Sequence, residues 1–310
     1  MLGIRTPFRI SFAGGSSDMP YYYKKYGGKV ISSSINKYMY HFINQYKNKD
    51  QTLIKYSRTE LIRDNNEIKH PIVKEISKLY NIKGLDIHSI ADIPKGSGLG
   101  SSSAYTVGLL HGLKYLDNQK IIKNQLAEEA CYVEINKLKE PIGKQDQYAV
   151  SNGGLNIIEF KKNDTVEVKK ISVSKESLKT LNNSIALVKI GDYRNASSIL
   201  EKQKSNFEDG DNISYINEIQ NLVNPMIKAI TNTDIKEVGN LLTYNWELKK
   251  KLSKNITNKN LEKKFVEILK IKNIYGGKLL GAGKSGYILF VGSRDSISKV
   301  NKLNETVKIF

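Results

Sequence analysis

The chain has 310 residues, a length that predicts about two domains or one large one. Hydrophobic residues make up 39% of it and charged residues 26%, which supplies a sizeable core and excludes a wholly disordered chain. The formal charge of +18 is carried by 43 Lys and only 6 Arg. Because base readout and bidentate phosphate contacts favour Arg, we interpret most of this charge as solvated Lys and not as a nucleic-acid surface.

Three further features narrow the class of protein. No apolar run approaches the roughly 18 residues that a membrane helix needs, so we expect no membrane partner. The first residues lack a charged head, an apolar segment and a cleavage site, so we expect no signal peptide. A single cysteine, Cys131, excludes an internal disulfide framework and a cysteine-based zinc cluster, and it fits a cytoplasmic protein.

The first part of the chain is predicted to be β-rich with inserted helices. Alternating apolar and polar residues predict strands over 30–35, 38–46, 52–57, 85–90, 155–160 and 165–171, with Asn36-Lys37 as a turn between the first two. Helical patterns cover 70–80, 105–116 and 119–136. The polar stretch 175–183 is the expected domain boundary.

Beyond this boundary the pattern becomes mostly helical. We expect a strand over 185–190, helices over 195–208, 213–231, 234–253 and 259–272, and strands over 278–281 and 287–291 before a last helix and strand. Strands with helices packed on them predict an α+β protein of two lobes, residues 1–179 and 180–310.

The loop 94–104, PKGSGLGSSSA, carries the strongest chemical signal because it joins a predicted strand to a predicted helix. Glycines allow the backbone to approach a ligand closely, and the unpaired N–H groups and dipole at a helix start favour phosphate. An ordinary Ser-capped loop is the alternative, but three Gly and four Ser within eleven residues favour phosphate binding. The candidate nucleotide-binding residues are Lys95, Gly96, Ser97, Gly98, Leu99, Gly100, Ser101, Ser102 and Ser103.

Two other nucleotide motifs nearly fit and are rejected. The run 278–285, KLLGAGKS, ends like a Walker loop, but Lys278 stands where the first Gly belongs and a strand pattern follows instead of a helix. The dinucleotide fingerprint fails because Ser101 replaces its third Gly.

Two carboxylates lie in motif-like surroundings. Asp18 ends the run RISFAGGSSD, and it can cap a helix or accept hydrogen bonds from sugar hydroxyls; from the residues alone, capping is the favoured interpretation. Asp146 lies in GKQDQY beside Lys144, where it can act as a base or orient a hydroxyl. An N-cap with a surface ion pair remains the alternative for Asp146.

In this order the motifs resemble those of the GHMP kinase superfamily, named for galactokinase, homoserine kinase, mevalonate kinase and phosphomevalonate kinase. The similarity spans about residues 4–291. Within the superfamily the chain is most similar to D-glycero-D-manno-heptose 7-phosphate kinases, on the stretches RISFAGGSSDMP, KGSGLGSSSA, GKQDQYA and RNASSILEKQ. Fucokinase-type domains share the first two stretches less closely. Two departures concern substrate contacts: Lys284-Ser285 interrupts the late Gly run, and Ser16-Ser17 replaces the common Gly-Thr.

The resemblance implies an N-terminal lobe like the second domain of ribosomal protein S5 and a ferredoxin-like C-terminal lobe. It implies Mg²⁺ ligands at Ser102 and Glu134, and it makes Asp146 the acid that orients or deprotonates the acceptor hydroxyl. Arg9 or Lys144 would keep that acid ionised. The implied substrate-binding residues are Gly14, Gly15, Ser16, Ser17, Asp18, Gly283 and Lys284.

A phosphorylated acceptor requires a second anion site. Arg194 precedes a Ser-rich helix start at Ser197, and an Arg fork with helix N–H groups suits a phosphate dianion. A Ser-capped helix with an exposed Arg is the alternative.

The implied activity is phosphorylation of the anomeric hydroxyl of D-glycero-D-manno-heptose 7-phosphate by ATP with Mg²⁺, giving the 1,7-bisphosphate for nucleotide-activated heptose. Fucose or another sugar as acceptor is the alternative, and a basic nucleic-acid-binding protein is a remote one. The expected partners are thus ATP and a sugar phosphate, with no nucleic acid and no membrane, and the resemblance leaves a homodimer open. A nucleic-acid binder would need no acceptor base, which argues against the remote alternative.

Overall fold

The computed structural model describes residues 1–191, 197–208, 210, 212–254, 256–304 and 306–307. The expected α+β architecture is confirmed, with a larger sheet in the first part of the chain and a smaller one in the second. The strands of the larger sheet are β1 (Leu2–Ala13), β2 (Gly28–Gln45), β3 (Thr52–Lys55), β4 (Thr59–Ile62), β5 (Leu85–Ala91), β6 (Leu155–Phe160) and β7 (Val166–Lys170). Those of the smaller sheet are β8 (Ile185–Ile190), β9 (Ile274–Leu279), β10 (Gly286–Gly292) and β11 (Thr306–Val307).

Helices alternate with the strands in the first part of the chain and dominate the second. They are α1 (Pro20–Tyr26), α2 (Pro71–Ile76), α3 (Ser101–Leu116), α4 (Lys123–Cys131), α5 (Gln145–Asn152), α6 (Lys175–Asn183), α7 (Ser197–Glu208), α8 (Ile213–Asn221), α9 (Val223–Thr231), α10 (Ile235–Lys251), α11 (Lys259–Leu269) and α12 (Arg294–Leu303). A 3₁₀ turn covers Asn65–Glu67, and a π-helical turn, Tyr132–Lys137, extends α4.

The larger sheet has the order β4-β3-β5-β2-β6-β7, and β1 pairs with β2. The predicted turn at Asn36-Lys37 is wrong, because β2 continues through both residues as an 18-residue strand. Opposite it on β1, Pro7 pairs with Tyr38 while Arg9 pairs with Ser34, so β2 bulges here instead of reversing. Pairing with the long antiparallel strand β1 keeps Asn36 and Lys37 within β2.

The smaller sheet has the order β11-β8-β10-β9, and α10 packs on β9. The helix expected over 213–231 is divided at Leu222, since Pro225 in the first turn of α9 lacks the N–H that would continue α8. The polar stretch 175–183 forms α6, whose start is capped by the Ser174 hydroxyl. The lobe boundary after residue 179 stays a prediction.

A continuous apolar core joins the two parts of the chain. Phe8 and Ile10 of β1 belong to the same buried cluster as Trp246 of α10 and Phe290 of β10. This shared core fixes the two sheets relative to each other and positions the cleft between them. In the residues that the structure describes, no helix combines the length and apolar character needed to cross a membrane.

Candidate active site

A cavity of about 940 Å³ lies between the two parts of the chain. Its walls are formed by the β1–α1 loop, the loop before α3, the start of α5, the inner face of α10 and the β9–β10 loop. The motifs predicted from the sequence therefore meet around one cavity, although they are spread from Arg9 to Ser285.

The loop before α3 presents the start of that helix to the cavity. Gly100 is the residue before the helix, with φ of 77°, and no side chain caps the helix start. The first N–H groups of α3 are thus left for a ligand, as an anion site requires. The Ser-capped alternative is not supported. Of the candidate loop residues, Ser97 and Leu99 are buried behind the cavity wall, whereas the lining includes Lys95, Gly96, Gly98, Gly100, Ser101, Ser102 and Ser103.

The late Gly-rich motif supports this loop from the other lobe. A Cβ atom at Gly98 would lie 2.7 Å from the Leu280 carbonyl oxygen, and one at Gly281 would lie 2.5 Å from the Gly98 Cα atom. Both glycines have φ in the left-handed region, at 76° and 74°. Two backbones therefore touch here with no room for side chains. The motif joins two strands, β9 and β10, which confirms that it is no Walker loop.

Arg9 and Asp146 form a bidentate pair in the middle of the cavity. The Arg9 guanidinium donates from Nε to Asp146 Oδ1 at 2.7 Å and from Nη2 to Oδ2 at 2.6 Å. Its third nitrogen donates to the Gly98 carbonyl at 2.6 Å, which ties the pair to the phosphate loop. Such a fork fixes the carboxylate in one orientation.

Lys144 does not join this pair, which corrects the expectation that it is a charge partner of Asp146. Its ammonium lies 2.9 Å from a Glu128 oxygen and 3.0 Å from an Asp164 oxygen, outside the cavity lining. Because Lys144 directly precedes α5 while Asp146 lies in its first turn, the two side chains leave the helix start in different directions. Of the two expected cations, Arg9 is the one that pairs with Asp146.

Asp18 lies beside the pair, on the other side of the α5 start. Its Oδ2 lines the cavity and accepts a hydrogen bond of 3.1 Å from the Gln145 N–H at the start of α5. The helix that follows Asp18 in the chain, α1, has no side-chain cap, so the local capping interpretation is not supported. A Cβ atom at Gly143 would lie only 2.0 Å from Asp18 Oδ2, so glycine there admits the carboxylate. Burial, assisted by the nearby Asp146 charge, raises the pKa of Asp18 to about 6.

The rest of the first motif divides into two groups. Gly15 and Ser16 line the cavity with Asp18. Gly14 and Ser17 lie behind them, where the Ser17 hydroxyl donates to the Gly14 carbonyl at 2.7 Å. Those two residues shape the turn, and the structure gives them no place on the cavity surface.

Glu134 faces the start of α3 and accepts hydrogen bonds from three side chains. It accepts from the Ser102 hydroxyl at 2.6 Å, the Ser103 hydroxyl at 2.9 Å and the Gln147 amide at 2.7 Å. Burial raises its pKa, although these three hydrogen bonds act in the opposite direction. Hydroxyl and carboxylate oxygens suit Mg²⁺, so the donor set fits the expected ion. No cluster of three or more His, Cys, Asp or Glu forms a metal site within the described ranges.

An aromatic end of the cavity was not predicted from the sequence. His70 and Tyr105 are stacked with ring centres 4.6 Å apart at 13°, and Tyr56 meets His70 edge-on at 4.6 Å. All three line the cavity. Burial and the Lys95 charge lower the pKa of His70 to about 4, so the ring is neutral at pH 7. These residues come from three separate parts of the sequence, and their spacing does not predict that the rings meet.

The part of the cavity wall formed by α10 and the end of β9 carries two lysines that were not predicted from the sequence. Lys278 at the end of β9 is 3% exposed, and Lys249 lies on α10 close to it. The sequence marks Lys278 only as a departure from the Walker pattern, and it gives no signal at Lys249. Both line the cavity, together with Asn245 and Gln203.

The remaining candidates fall into three groups. Arg194 lies outside the described residues, and for Ser197 only its place as the first residue of α7 is described. Gly283 lines the cavity. Lys284 is not among the lining residues, and its N–H donates to the Ile256 carbonyl at 2.7 Å.

Comparisons with known proteins agree with this geometry. Residues 66–154, which include the phosphate loop, Glu134 and Asp146, match the model of the GHMP kinases N terminal domain. The chain therefore contains a segment that is similar to the N-terminal domain of the GHMP kinases. It is 29% identical over 301 residues to D-glycero-alpha-D-manno-heptose 7-phosphate kinase of Campylobacter jejuni, covering 92% of this chain and 88% of that one. It is 25% identical to the bifunctional fucokinase/GDP-fucose pyrophosphorylase of Arabidopsis thaliana, covering 93% of this chain and 29% of the relative.

Solved structures of GHMP kinases share the fold. A D-glycero-D-manno-heptose 1-phosphate kinase from Bacteriodes thetaiotaomicron superposes with a TM-score of 0.79 at 24% identity, covering 99% of this chain and 95% of that one. The galactokinase of Lactococcus lactis, solved with galactose, gives a TM-score of 0.76 at 18% identity, covering 97% and 87%. The two-lobed GHMP kinase fold is confirmed, and this chain is an ATP-dependent kinase.

Proposed function

We propose that this kinase transfers the γ-phosphoryl group of ATP to the anomeric hydroxyl of D-glycero-D-manno-heptose 7-phosphate, giving the 1,7-bisphosphate. The Arg9–Asp146 pair carries the proposal, because it places an oriented carboxylate between the phosphate loop and Asp18. The identity of the acceptor comes from the names of the heptose phosphate kinases to which the chain is similar. The reaction would supply a precursor of nucleotide-activated heptose in the cytoplasm, where ATP is available.

The two ends of the cavity suit the two substrates. The aromatic end, formed by Tyr56, His70 and Tyr105, offers ring faces and edges against which a nucleobase can pack. The start of α3 lies next to it and offers N–H groups to the nucleotide phosphates. Asp18 lies beyond Asp146, where its carboxylate can accept hydrogen bonds from sugar hydroxyls.

Phosphoryl transfer depends on positioning and charge stabilisation more than on covalent help from the protein. The anomeric oxygen attacks the γ-phosphorus, and the bond between that phosphorus and the ADP oxygen breaks. Asp146 accepts the hydroxyl proton or orients it, and Arg9 holds the carboxylate towards the acceptor. The Arg9 contact to the Gly98 carbonyl links acceptor activation to the loop that holds the donor.

Ser102 and Glu134 are the residues that would hold Mg²⁺. The ion would neutralise charge on the nucleotide phosphates. Ser103 and Gln147 support the site by donating hydrogen bonds to the Glu134 carboxylate, which fixes its orientation.

A coupled assay of ADP release over a panel of sugars tests the proposal. The panel contains D-glycero-D-manno-heptose 7-phosphate, the same heptose without phosphate, fucose and galactose, with ATP alone as the blank. We expect the heptose 7-phosphate to have the highest kcat/KM. Higher kcat/KM for fucose or galactose would overturn the proposed acceptor, and no sugar-dependent ADP release would overturn the sugar kinase assignment.

A further inference from the structure

The cavity wall formed by α10 and the end of β9 carries two lysines whose amino groups have no acidic partner among the described residues. Lys278 donates to the Phe12 carbonyl at 3.2 Å, and Lys249 donates to the carbonyls of Leu279, at 3.2 Å, and Gly281. In the part of the chain that the structure describes, neither ammonium forms an ion pair with a carboxylate. Lys278 is buried with one main-chain carbonyl as its partner, and the half-buried Lys249 has two carbonyls and the Trp246 ring, whose centre lies 6.0 Å from Nζ.

A third hydrogen-bond donor on this wall has no partner at all. Asn245 is 2% exposed, and its amide nitrogen makes no hydrogen bond, although the residue lines the cavity. Asn245 and Lys249 are four residues apart on α10, so they share one face of the helix. A buried donor left unpaired costs about 1–3 kcal/mol, so the wall is incomplete without an acceptor.

The charges around this wall make the missing acceptor an anion. Arg9 is the nearest other cation, but Asp146 already neutralises it. Burial, with a smaller contribution from Arg9, lowers the pKa of Lys249 to about 7, and burial with the Lys249 charge lowers that of Lys278. Nearby negative charge would restore both ammonium groups, since an opposite charge favours the ionised form.

The wall faces the acceptor side of the cavity. Lys278 contacts Phe12, the residue of β1 that leads into the turn carrying Gly15 and Asp18. The nucleotide phosphates have their own site at the start of α3, where no side chain caps the helix. We propose that Asn245, Lys249 and Lys278 form the subsite for the anionic group of the acceptor, a phosphate monoester. The inference rests on the proposed function, and it assigns to these three residues the second anion site that a phosphorylated acceptor requires.

Comparing a phosphorylated sugar with the same sugar without phosphate distinguishes loss of this subsite from a general loss of activity. The variants Lys249→Met and Asn245→Leu are assayed with a phosphorylated sugar and with the same sugar without phosphate. The pair is D-glycero-D-manno-heptose 7-phosphate and the same heptose without phosphate, both from the panel above. Lys250→Met is the matched control, because Lys250 is adjacent and pairs with Glu247 at 2.9 Å.

We expect Lys249→Met to raise the KM of the phosphorylated sugar about 10- to 100-fold, the range for a lost hydrogen bond to a charged group. The KM values of ATP and of the unphosphorylated sugar should stay within about two-fold of wild type. Asn245→Leu should have a smaller effect in the same direction, and Lys250→Met should have none. Equal losses for both sugars, or a higher KM for ATP, would overturn the subsite.

Calorimetry gives a readout that a structural role would not change. Sugar phosphate is titrated into the wild type and Lys249→Met at pH 8, in two buffers that differ in ionisation enthalpy. Wild type should take up protons on binding because Lys249 becomes charged, and the variant should take up fewer. Equal uptake would overturn the inference. A wild type that prefers unphosphorylated sugars would overturn the proposed acceptor, whereas a preference for sugar phosphates that survives in Lys249→Met would overturn the subsite alone.

Discussion

The two walls of the cavity treat charge in opposite ways. On the wall formed by β1, α3 and α5, each charged group is held by another protein group, as Arg9 is by Asp146 and Glu134 by Ser102. On the wall formed by α10 and β9, Lys249 and Lys278 contact main-chain carbonyls, and Lys249 also contacts the Trp246 ring, but neither has an acidic partner in the described part of the chain. The charged side chains of the first wall are oriented before substrate binds, as electrostatic catalysis requires. The lysines of the second wall would gain an anionic partner only when a ligand binds. Substitutions on the first wall should therefore reduce kcat, and those on the second should raise KM.

Asp146→Asn gives the largest expected effect and tests the first wall. The amide can neither take the proton nor pair with both Arg9 nitrogens, so kcat should fall about 1,000-fold, within the range for a lost general base. The sugar KM should change only a few-fold. Steady-state kinetics measure both values, and Asp117→Asn, at the exposed end of α3, is the control. Full activity of Asp146→Asn would remove Asp146 from the mechanism.

Glu134→Gln tests the proposed Mg²⁺ site on the first wall. The side chain keeps its shape but loses the negative charge, so the apparent Mg²⁺ affinity should fall on the order of 10- to 100-fold. A titration of activity against Mg²⁺ measures the shift, and excess Mg²⁺ should restore part of the rate. Glu159→Gln, remote on β6, is the control. An unchanged Mg²⁺ dependence would contradict the assignment.

His70→Ala tests the aromatic end, where the effect should be confined to the nucleotide. Loss of one stacking ring costs about 1–3 kcal/mol, so the KM of ATP should rise about 5- to 150-fold. The sugar KM should remain unchanged, and His88→Ala, on β5, serves as the control. A larger change in the sugar KM than in the ATP KM would contradict the placement of the base.

The pH profile gives the smallest expected effect. The pKa of Asp18 is raised to about 6, so its carboxylate is charged above that pH and becomes protonated below it. The kcat/KM for the sugar should therefore fall a few-fold as pH drops from about 7 to 5, because fewer acceptors remain for sugar hydroxyls. Asp18→Asn should lower the plateau and remove this acid limb. An acid limb that survives in the variant belongs to another group.

The sequence predicts the first wall far better than the second, for a physical reason. The phosphate loop and Asp146 each lie in a short stretch whose Gly, Ser and charged residues already define a local geometry. Tyr56, His70 and Tyr105 come from three elements, and only the tertiary fold stacks them. Lys249 and Lys278 are likewise 29 residues apart, and without the fold they are indistinguishable from the solvated Lys of a chain with 43 of them.

The two wrong predictions described next also arise because tertiary contacts are not visible in a short stretch of sequence. Asn36-Lys37 has the composition of a turn, but pairing with β1 keeps both residues in a strand. Lys144 lies two residues from Asp146, yet it pairs with Glu128 and Asp164 because α5 begins between them. Sequence proximity is a poor guide to contact where a helix starts. Arg9, in contrast, is 137 residues from Asp146 and contacts it directly.

Phosphorus NMR of the product tests the central claim most directly. Wild type is incubated with ATP and D-glycero-D-manno-heptose 7-phosphate, and Asp146→Asn is treated in the same way. The account predicts a second phosphate on the sugar, with its phosphorus coupled to the anomeric proton, that forms with the wild type and far more slowly with the variant. A new phosphate on any other hydroxyl, or equal rates for the two proteins, would contradict it.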